Sequence, residues 1–484
     1  MELWRSDLRS AVEAVRTKRA SALELFDACL ARATACESKL GALITTTVEQ
    51  GRSQARQIDE ALTRGDEVGP LAGAPVILKD NLCTKGVRTT AGSAILGDWT
   101  PPYDATPWAL LRKAGAVLLG KANMDEFAMG NTSSSSAFGP TKNPHDTERV
   151  PGGSSGGSAT AVAAGYAPFA LGSDTGGSVR QPAAYCGVCG LKPTYGMVSR
   201  YGVISYGSSL DQVGPFARSM ADLHLVLSVL AHHDPMDSSS FREHGFDFAP
   251  RPADLKGKRV GLVKDFQAFS LDPAIAEALE RVRKIFEDGG AEIVEVSLPI
   301  VARYAVSCYY ALAMSEANTN LERYDGVRYG LTVADASGSK EMFEAVRSKG
   351  FGAEVKSRII AGTCLTEPTR CDRYYVAATK VRTLIAQELA RAFERADLIL
   401  QPVSPTLAPK IGAERDRMKG YEADLYTLPA NLAGLPGLTF IAGQEPGTGL
   451  PVGLQLVGPR WSDVELLNVG LALEGHLGAP KIAG

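Results

Sequence analysis

The chain has 484 residues, 45% of them apolar and 22% charged, with 51 basic side chains against 54 acidic ones for a net charge of −3. That balance excludes a disordered chain. It also excludes a protein that grips nucleic acid by itself, which needs a basic face. The length allows about three domains at roughly 150 residues each, or one large α/β domain.

Taken in chain order, the S-x-x-E pattern of Ser21 and Glu24 predicts a capping box. It opens an amphipathic helix with Leu23, Phe26, Leu30 and Ala33 on one face. A second helix is expected over 48–64. Residues 75–78 read as a short buried strand ending at Lys79. A helix over 106–114 and a strand over 116–119 follow. A Gly/Ser loop starts at Pro151, an Ala-rich helix runs through Ala164, and a strand covers 169–172. Residues 174–178 form a sharp polar turn. This alternation predicts an α/β sheet. The polar stretch 232–255 reads as a linker or surface excursion. A βαβ unit is expected next, with a strand over 259–263, a helix over 273–288 and a strand over 292–296. Helical sequence then covers 303–329 and 341–362 and continues to 394. Strands are expected over 398–402, 438–441 and 452–457, and a closing helix over 462–477 capped by Ser462. No repeat of fixed period is present.

These elements predict one domain, a central mixed sheet flanked by helices on both faces. Its parts are a helical region over 1–65, a core over 66–220, the excursion over 232–255, and a second half over 256–484 that completes the sheet. The uncharged stretch 151–173 is broken by Gly, Ser and Pro, so no membrane span is expected. Residues 1–10 contain Glu2 and Asp7 and lack an apolar run, which is not a signal-peptide pattern. Of eight cysteines only Cys186 and Cys189 form a C-x-x-C pair, and no second such pair completes a zinc site. Buried thiols, no disulfide framework and no metal are expected. The reading is a soluble, reduced, cytoplasmic protein, or one of an organelle matrix in a eukaryotic host.

Three segments could carry chemistry. Lys79 leaves a strand and is followed by Asp80 and Asn81. Gly152-Gly153-Ser154-Ser155-Gly156-Gly157-Ser158 precedes a helix. Asp174-Thr175-Gly176-Gly177-Ser178 follows a strand. Two glycines before Ser178 let the backbone turn tightly and gather N–H groups, as an oxyanion hole requires. A serine hydroxyl needs a base. None of the six histidines lies in a triad-like context, which leaves lysine. Burial can lower a lysine pKa from about 10.4 into the useful range. Lys79 follows an apolar run, and Ser154 could relay the proton. The G-x-S-x-G match over 152–156 lacks a downstream acid–His pair. No Lys follows the last glycine as a phosphate-binding loop requires.

The chain resembles the amidase-signature enzymes. The resemblance runs through Leu78-Lys79-Asp80-Asn81, the Gly/Ser loop of 152–158, and Gly172-Ser173-Asp174-Thr175-Gly176-Gly177-Ser178-Val179-Arg180. Within that family it is similar to the A subunits of tRNA-dependent amidotransferases. The subgroup blocks are Asn123-Met124-Asp125-Glu126-Phe127-Ala128-Met129-Gly130, 323–330, Gly350-Phe351-Gly352-Ala353-Glu354-Val355-Lys356, and 425–436. The resemblance implies Ser178 as nucleophile, Ser154 in a cis peptide as relay, and Lys79 as base. It assigns the oxyanion hole to the N–H groups of Thr175, Gly176, Gly177 and Ser178. It also implies that glutamine is held by Arg358 at the α-carboxylate and Asp424 at the α-ammonium, with Met129 and Gly130 in the same site. Ammonia would pass to a B subunit, braced by a small C subunit. The B subunit would use ATP and Mg²⁺ to amidate mischarged Glu-tRNA(Gln), or Asp-tRNA(Asn), so tRNA would be met through that partner. Two other readings are a free-standing amidase for small carboxamides and a catalytically dead scaffold. The chain departs from the subgroup over 363–373, where Pro368 is expected to shorten or kink a helix.

Overall fold

The computed structural model describes residues 2–242, 245–413 and 423–483. Glu243 and His244, inside the stretch expected as a linker, lie outside them. Among the described residues eleven strands are formed: β1 (Leu43–Thr46), β2 (Pro75–Lys79), β3 (Val117–Ala122), β4 (Phe169–Asp174), β5 (Cys189–Lys192), β6 (Gln212–Ala217), β7 (Arg259–Val263), β8 (Glu292–Val296), β9 (Leu398–Pro402), β10 (Gly437–Gln444) and β11 (Pro451–Val457). They make one sheet in the order β1-β3-β2-β4-β6-β5-β10-β11-β9-β7-β8. Strand β2 runs parallel to β3 and β4, and β7 runs parallel to β8 and β9; the remaining pairs are antiparallel. The sheet is therefore mixed, as expected. Its two halves meet where β5 pairs with β10.

Strands β2, β4 and β11 are buried along their whole length. Helices cover both faces there, which is why these strands read as continuous apolar runs rather than alternating ones. Alternation still sorts their side chains. Val76 and Leu78 join one core with Trp108 and Leu227, while Ile77 joins the opposite core with Phe26 and Ala161. Lys79, two residues past Ile77, falls on that second face, toward the helix Gly156–Ala163. Edge strand β8 behaves differently: Glu292 and Glu295 are exposed, a charged guard on an open edge.

Several elements differ from the sequence reading. Strands β1, β5 and β6 and the helices Leu8–Arg16, Arg180–Cys186 and Met220–Leu230 are not among the expected ones. The helix Arg180–Cys186 is buried on every side, so it has no amphipathic period to read. The helical run expected over 303–329 occupies Pro299–Leu321, with proline in its first turn. The run expected over 341–362 is two helices, Ser339–Gly350 and Ala353–Thr366, separated at Phe351 and Gly352. The second ends two residues before Pro368, because the residue before a proline is pushed to extended geometry; Glu367 has φ −54° and ψ 136°. A π-helical turn, Asp372–Val376, then leads into Ala377–Arg395. The Ser21–Glu24 capping box forms. Ser462 occupies a cap position, but its hydroxyl donates to the Pro459 carbonyl at 2.7 Å instead of capping the helix.

The stretch 232–255 holds no helix or strand among its described residues, yet it is fastened to the core. Asp234 accepts hydrogen bonds from Thr106 Oγ1 at 2.6 Å and Ser199 Oγ at 2.5 Å. Phe241 packs on Trp461 with ring centroids 5.4 Å apart. All eight cysteines are free thiols. Among the described residues no helix is long and apolar enough to cross a membrane, and no cluster of metal-ligating side chains is found.

One buried ion pair of the first half, Asp174–Arg180, reaches across to the second through its arginine. Arg180 donates through Nε to Asp174 Oδ2 and through Nη2 to Asp174 Oδ1, both at 3.1 Å. Its remaining N–H groups reach the Thr427 carbonyl at 2.9 Å, Gln455 Oε1 at 3.0 Å and Asn431 Oδ1 at 2.6 Å. Burial opposes ionisation of Asp174, but the Arg180 guanidinium outweighs it and holds the carboxyl well below the usual range. Arg180→Ala leaves that carboxylate buried without its partner, which costs about 3–5 kcal/mol. A lowered guanidinium-chloride midpoint is the expected result. The pair-removing variant Asp174→Asn/Arg180→Met should lose less than Arg180→Ala alone.

Candidate active site

Strand β2 delivers Lys79 into the interior, where its side chain is fully buried. The Nζ atom lies 2.7 Å from Ser154 Oγ, 2.9 Å from Ser155 Oγ and 2.9 Å from Ser173 Oγ, and 3.3 Å from the Ser173 carbonyl. Among the described residues it forms no ion pair. Lys121 on the neighbouring strand makes the contrast. It is equally buried but sits 3.2 Å from Asp80. Burial brings the Lys79 amine down to about 7, against the more distant charges of Asp125, Asp211 and Asp174, which pull it up. An unpaired amine in a dry site is therefore poised between its two protonation states near neutrality.

The surrounding hydroxyls have defined roles. The Ser155 hydroxyl donates to the Ser173 carbonyl at 3.0 Å, so toward Ser155 the lysine must be the donor. Ser173 Oγ accepts from Asn81 Nδ2 at 3.0 Å. The Gly153–Ser154 peptide is cis, as the resemblance implies.

Asp174 shapes the turn that ends in Ser178. Its carboxylate accepts the N–H of Gly177 at 2.8 Å and of Val179 at 3.1 Å. Gly177 has φ +128°, and a Cβ there would lie 2.4 Å from Thr427 Oγ1, so only glycine fits. The Gly177 N–H is thus spent on Asp174, which removes it from the expected set of oxyanion donors. The amides of Thr175, Gly176 and Ser178 make no hydrogen bond among the described residues. Ser178 is 8% exposed and opens onto a cavity of about 380 Å³. No hydrogen bond links its hydroxyl to Ser154; such contacts often tighten only when substrate is bound.

The same cavity is lined by Met129, Gly130, Asn131, Arg358 and Asp424. Arg358, on the helix Ala353–Thr366, donates to Glu354 Oε1 at 2.9 Å and to the Tyr206 hydroxyl at 2.7 Å. Its guanidinium stands over the rings of Tyr206 and Tyr310, 5.5 and 5.6 Å from their centroids. Asp424 accepts from the Tyr310 hydroxyl at 2.7 Å and from Asn131 Nδ2 at 3.3 Å. Arg358 and Asp424 thus face one pocket beside Ser178; of the other carboxylates in its lining, Glu354 is paired with Arg358 and Asp125 is held by backbone N–H groups. Met129 is fully buried within the wall, and a Cβ on Gly130 would lie 2.4 Å from Asp125 Cγ. No residue of 363–373 lines the cavity, so the departure from the subgroup pattern falls away from its wall.

Sequence reasoning missed Ser155 and Ser173, although both stand inside the quoted motifs. It also missed Asp125, which accepts the backbone N–H groups of Thr132, Ser133, Ser134 and Ser135 and moulds one side of the pocket. Tyr206, Asp211 and Tyr310 carry no local pattern at all and reach the site only through the fold. Asp211 accepts from Thr175 Oγ1 at 2.6 Å and from the amide of Tyr206 at 3.0 Å, and burial pushes its carboxyl up to about 6.

Comparison with known proteins agrees with this picture. The amidase family model matches residues 24–467. The chain is 48% identical over 488 residues to the A subunit of the glutamyl-tRNA(Gln) amidotransferase of Carboxydothermus hydrogenoformans, covering all of both chains. It is 47% identical to the protein of the same name from Heliobacterium modesticaldum, over 99% of this chain and 98% of that one. The crystal structure of the A subunit of glutamyl-tRNA(Gln) amidotransferase from Thermotoga maritima superposes with a TM-score of 0.82 at 33% identity, covering 100% of this chain and 99% of that one. With Lys79, the 152–158 loop and the 174–178 turn gathered at one cavity, the chain belongs to the amidase family, within its branch of glutamyl-tRNA(Gln) amidotransferase A subunits.

Proposed function

We propose that this chain releases ammonia from glutamine for a tRNA-dependent amidotransferase, through a Lys79–Ser154–Ser178 triad. The observation that carries this reading is the Arg358 and Asp424 pair, opposite charges in the cavity onto which Ser178 opens. Free glutamine bears one charge of each sign at its α-carbon. Arg358 takes the α-carboxylate and Asp424 the α-ammonium, which leaves the side-chain amide to reach Ser178.

The chemistry follows from the proton inventory. A neutral amine has two N–H bonds and one lone pair. With its N–H bonds given to Ser155 and Ser173, Lys79 turns the lone pair to Ser154 Oγ. Ser154 gives its proton to Lys79 and takes the proton of Ser178, whose oxygen attacks the amide carbon. The developing oxyanion is met by the amides of Thr175, Gly176 and Ser178. The C–N bond breaks as the proton returns through Ser154 to the leaving nitrogen, and ammonia departs. Water then hydrolyses the glutamyl ester by the same relay. The names of the relatives support a multi-subunit enzyme acting on glutamyl-tRNA(Gln); in our reading a B subunit receives the ammonia, binds ATP and Mg²⁺ and amidates Glu-tRNA(Gln), with a C subunit bracing the pair in the cytoplasm.

The relay requires Lys79 uncharged. Below its pKa the amine is protonated and has no lone pair, so ammonia release should fall about tenfold per pH unit below about 7 and level off above it. A pH profile of kcat for glutamine checks this. Lys79→Ala should lower kcat by about 10³-fold or more and abolish labelling of Ser178 by an amide-directed electrophile. Arg358→Ala should raise KM for glutamine by about tenfold or more, because it deletes a charge-assisted contact; Asp424→Asn should act in the same direction. The assignment itself is tested by ammonia release and tRNA amidation with candidate B and C chains. Efficient turnover of apolar amides with no action on glutamine would overturn it.

A further inference from the structure

Two of the blocks that carry the subgroup resemblance, 123–130 and 350–356, meet at one buried carboxylate. Glu126 is 2% exposed. Its Oε2 accepts the N–H of Gly352 at 2.8 Å, across 226 positions of chain. Its Oε1 accepts the Ser93 hydroxyl, which also lies 3.2 Å from the Gly350 carbonyl. Gly352 is the N-cap of the helix Ala353–Thr366 and offers no capping side chain. The carboxylate that meets this helix start comes from another part of the fold, where negative charge is favourable. Glu354 and Arg358 project from the next turns of that helix.

Gly352 is held to glycine by this contact alone. Its φ of −71° suits any residue. A Cβ there would lie 2.5 Å from Glu126 Oε2, and the other atom it would approach is Glu126 Cδ at 3.5 Å. On its other side Glu126 leads into Phe127 and Ala128, both at positive φ, and then into Met129 and Gly130 of the cavity wall. The Phe127 ring packs on Phe351 at 5.6 Å. One carboxylate therefore fastens two walls of the pocket to each other.

We propose that Glu126 is a positioning residue for substrate recognition: by anchoring the start of the helix that bears Arg358, it sets where the guanidinium meets the α-carboxylate. This rests on the reading of Arg358 as the carboxylate clamp. Glutamine KM and kcat in the full chain separate the possibilities. Glu126→Ala should raise KM by about tenfold or more with kcat within about threefold, because positioning of the clamp affects binding and leaves the relay intact. Glu126→Gln keeps an acceptor for Gly352 and should stay within about threefold of the wild type in both constants. Gly352→Ala should raise KM on its own and add less than about twofold to Glu126→Ala, since removing the carboxylate removes the clash. Additive effects of Gly352→Ala and Glu126→Ala would overturn the proposal. So would an unchanged KM in Glu126→Ala beside a raised one in Arg358→Ala, or a loss confined to kcat. An unchanged KM in Arg358→Ala would overturn the clamp, and this proposal with it.

Discussion

A primary amine buried without a carboxylate in contact is the constraint on which the rest of this site is organised. Water would hold Lys79 charged, and an adjacent Asp or Glu would do the same. The fold removes the first by placing the residue at the end of a strand covered on both faces. It avoids the second by ringing Nζ with serine oxygens and a carbonyl. The acidic residues of the region are turned to other tasks. Asp80 pairs with Lys121, Asp174 pairs with Arg180, Asp125 holds a loop, and Asp211 holds Thr175. Asp125, Asp211 and Asp174 are close enough to moderate the amine, and none is close enough to pin its proton.

The sheet topology explains how the residues we propose for reaction and for recognition come from distant parts of the chain. Lys79, Ser154 and Ser178 belong to the half built on β2 and β4. Arg358 and Asp424 belong to segments between β8 and β10. The β5–β10 pairing and the three hydrogen bonds from the Arg180 side chain to Thr427, Gln455 and Asn431 hold the halves in register. The helix Pro299–Leu321 adds Tyr310, whose ring faces Arg358 and whose hydroxyl meets Asp424. A single aromatic residue thereby spaces the two charges.

Much of this is legible in the sequence, and the reasons are local. A strand of apolar residues ending in lysine, and glycine-rich turns abutting apolar runs, announce themselves within five to ten positions. The βαβ unit of β7, Pro273–Asp288 and β8 is readable from period and caps at the same bounds. What escapes is non-local. Strand β5 is four residues long with an internal glycine. The helix Arg180–Cys186 is buried all round and contains Pro182. Tyr206 and Tyr310 gain meaning only from the residues opposite them. The Gly177 amide looks like an oxyanion donor by its place in the turn, but a carboxylate three residues earlier has already taken it.

The Arg180 anchor has a consequence for biosynthesis. Thr427, Asn431 and Gln455 supply three of its five hydrogen bonds, and a ribosome adds them long after residue 180 has emerged. A nascent polypeptide halted before residue 427 carries Lys79, Ser154 and Ser178 but lacks the scaffold that completes the turn beside them. A polypeptide cut short there keeps these three side chains but leaves the Arg180 guanidinium with Asp174 as its one remaining partner among the five contacts.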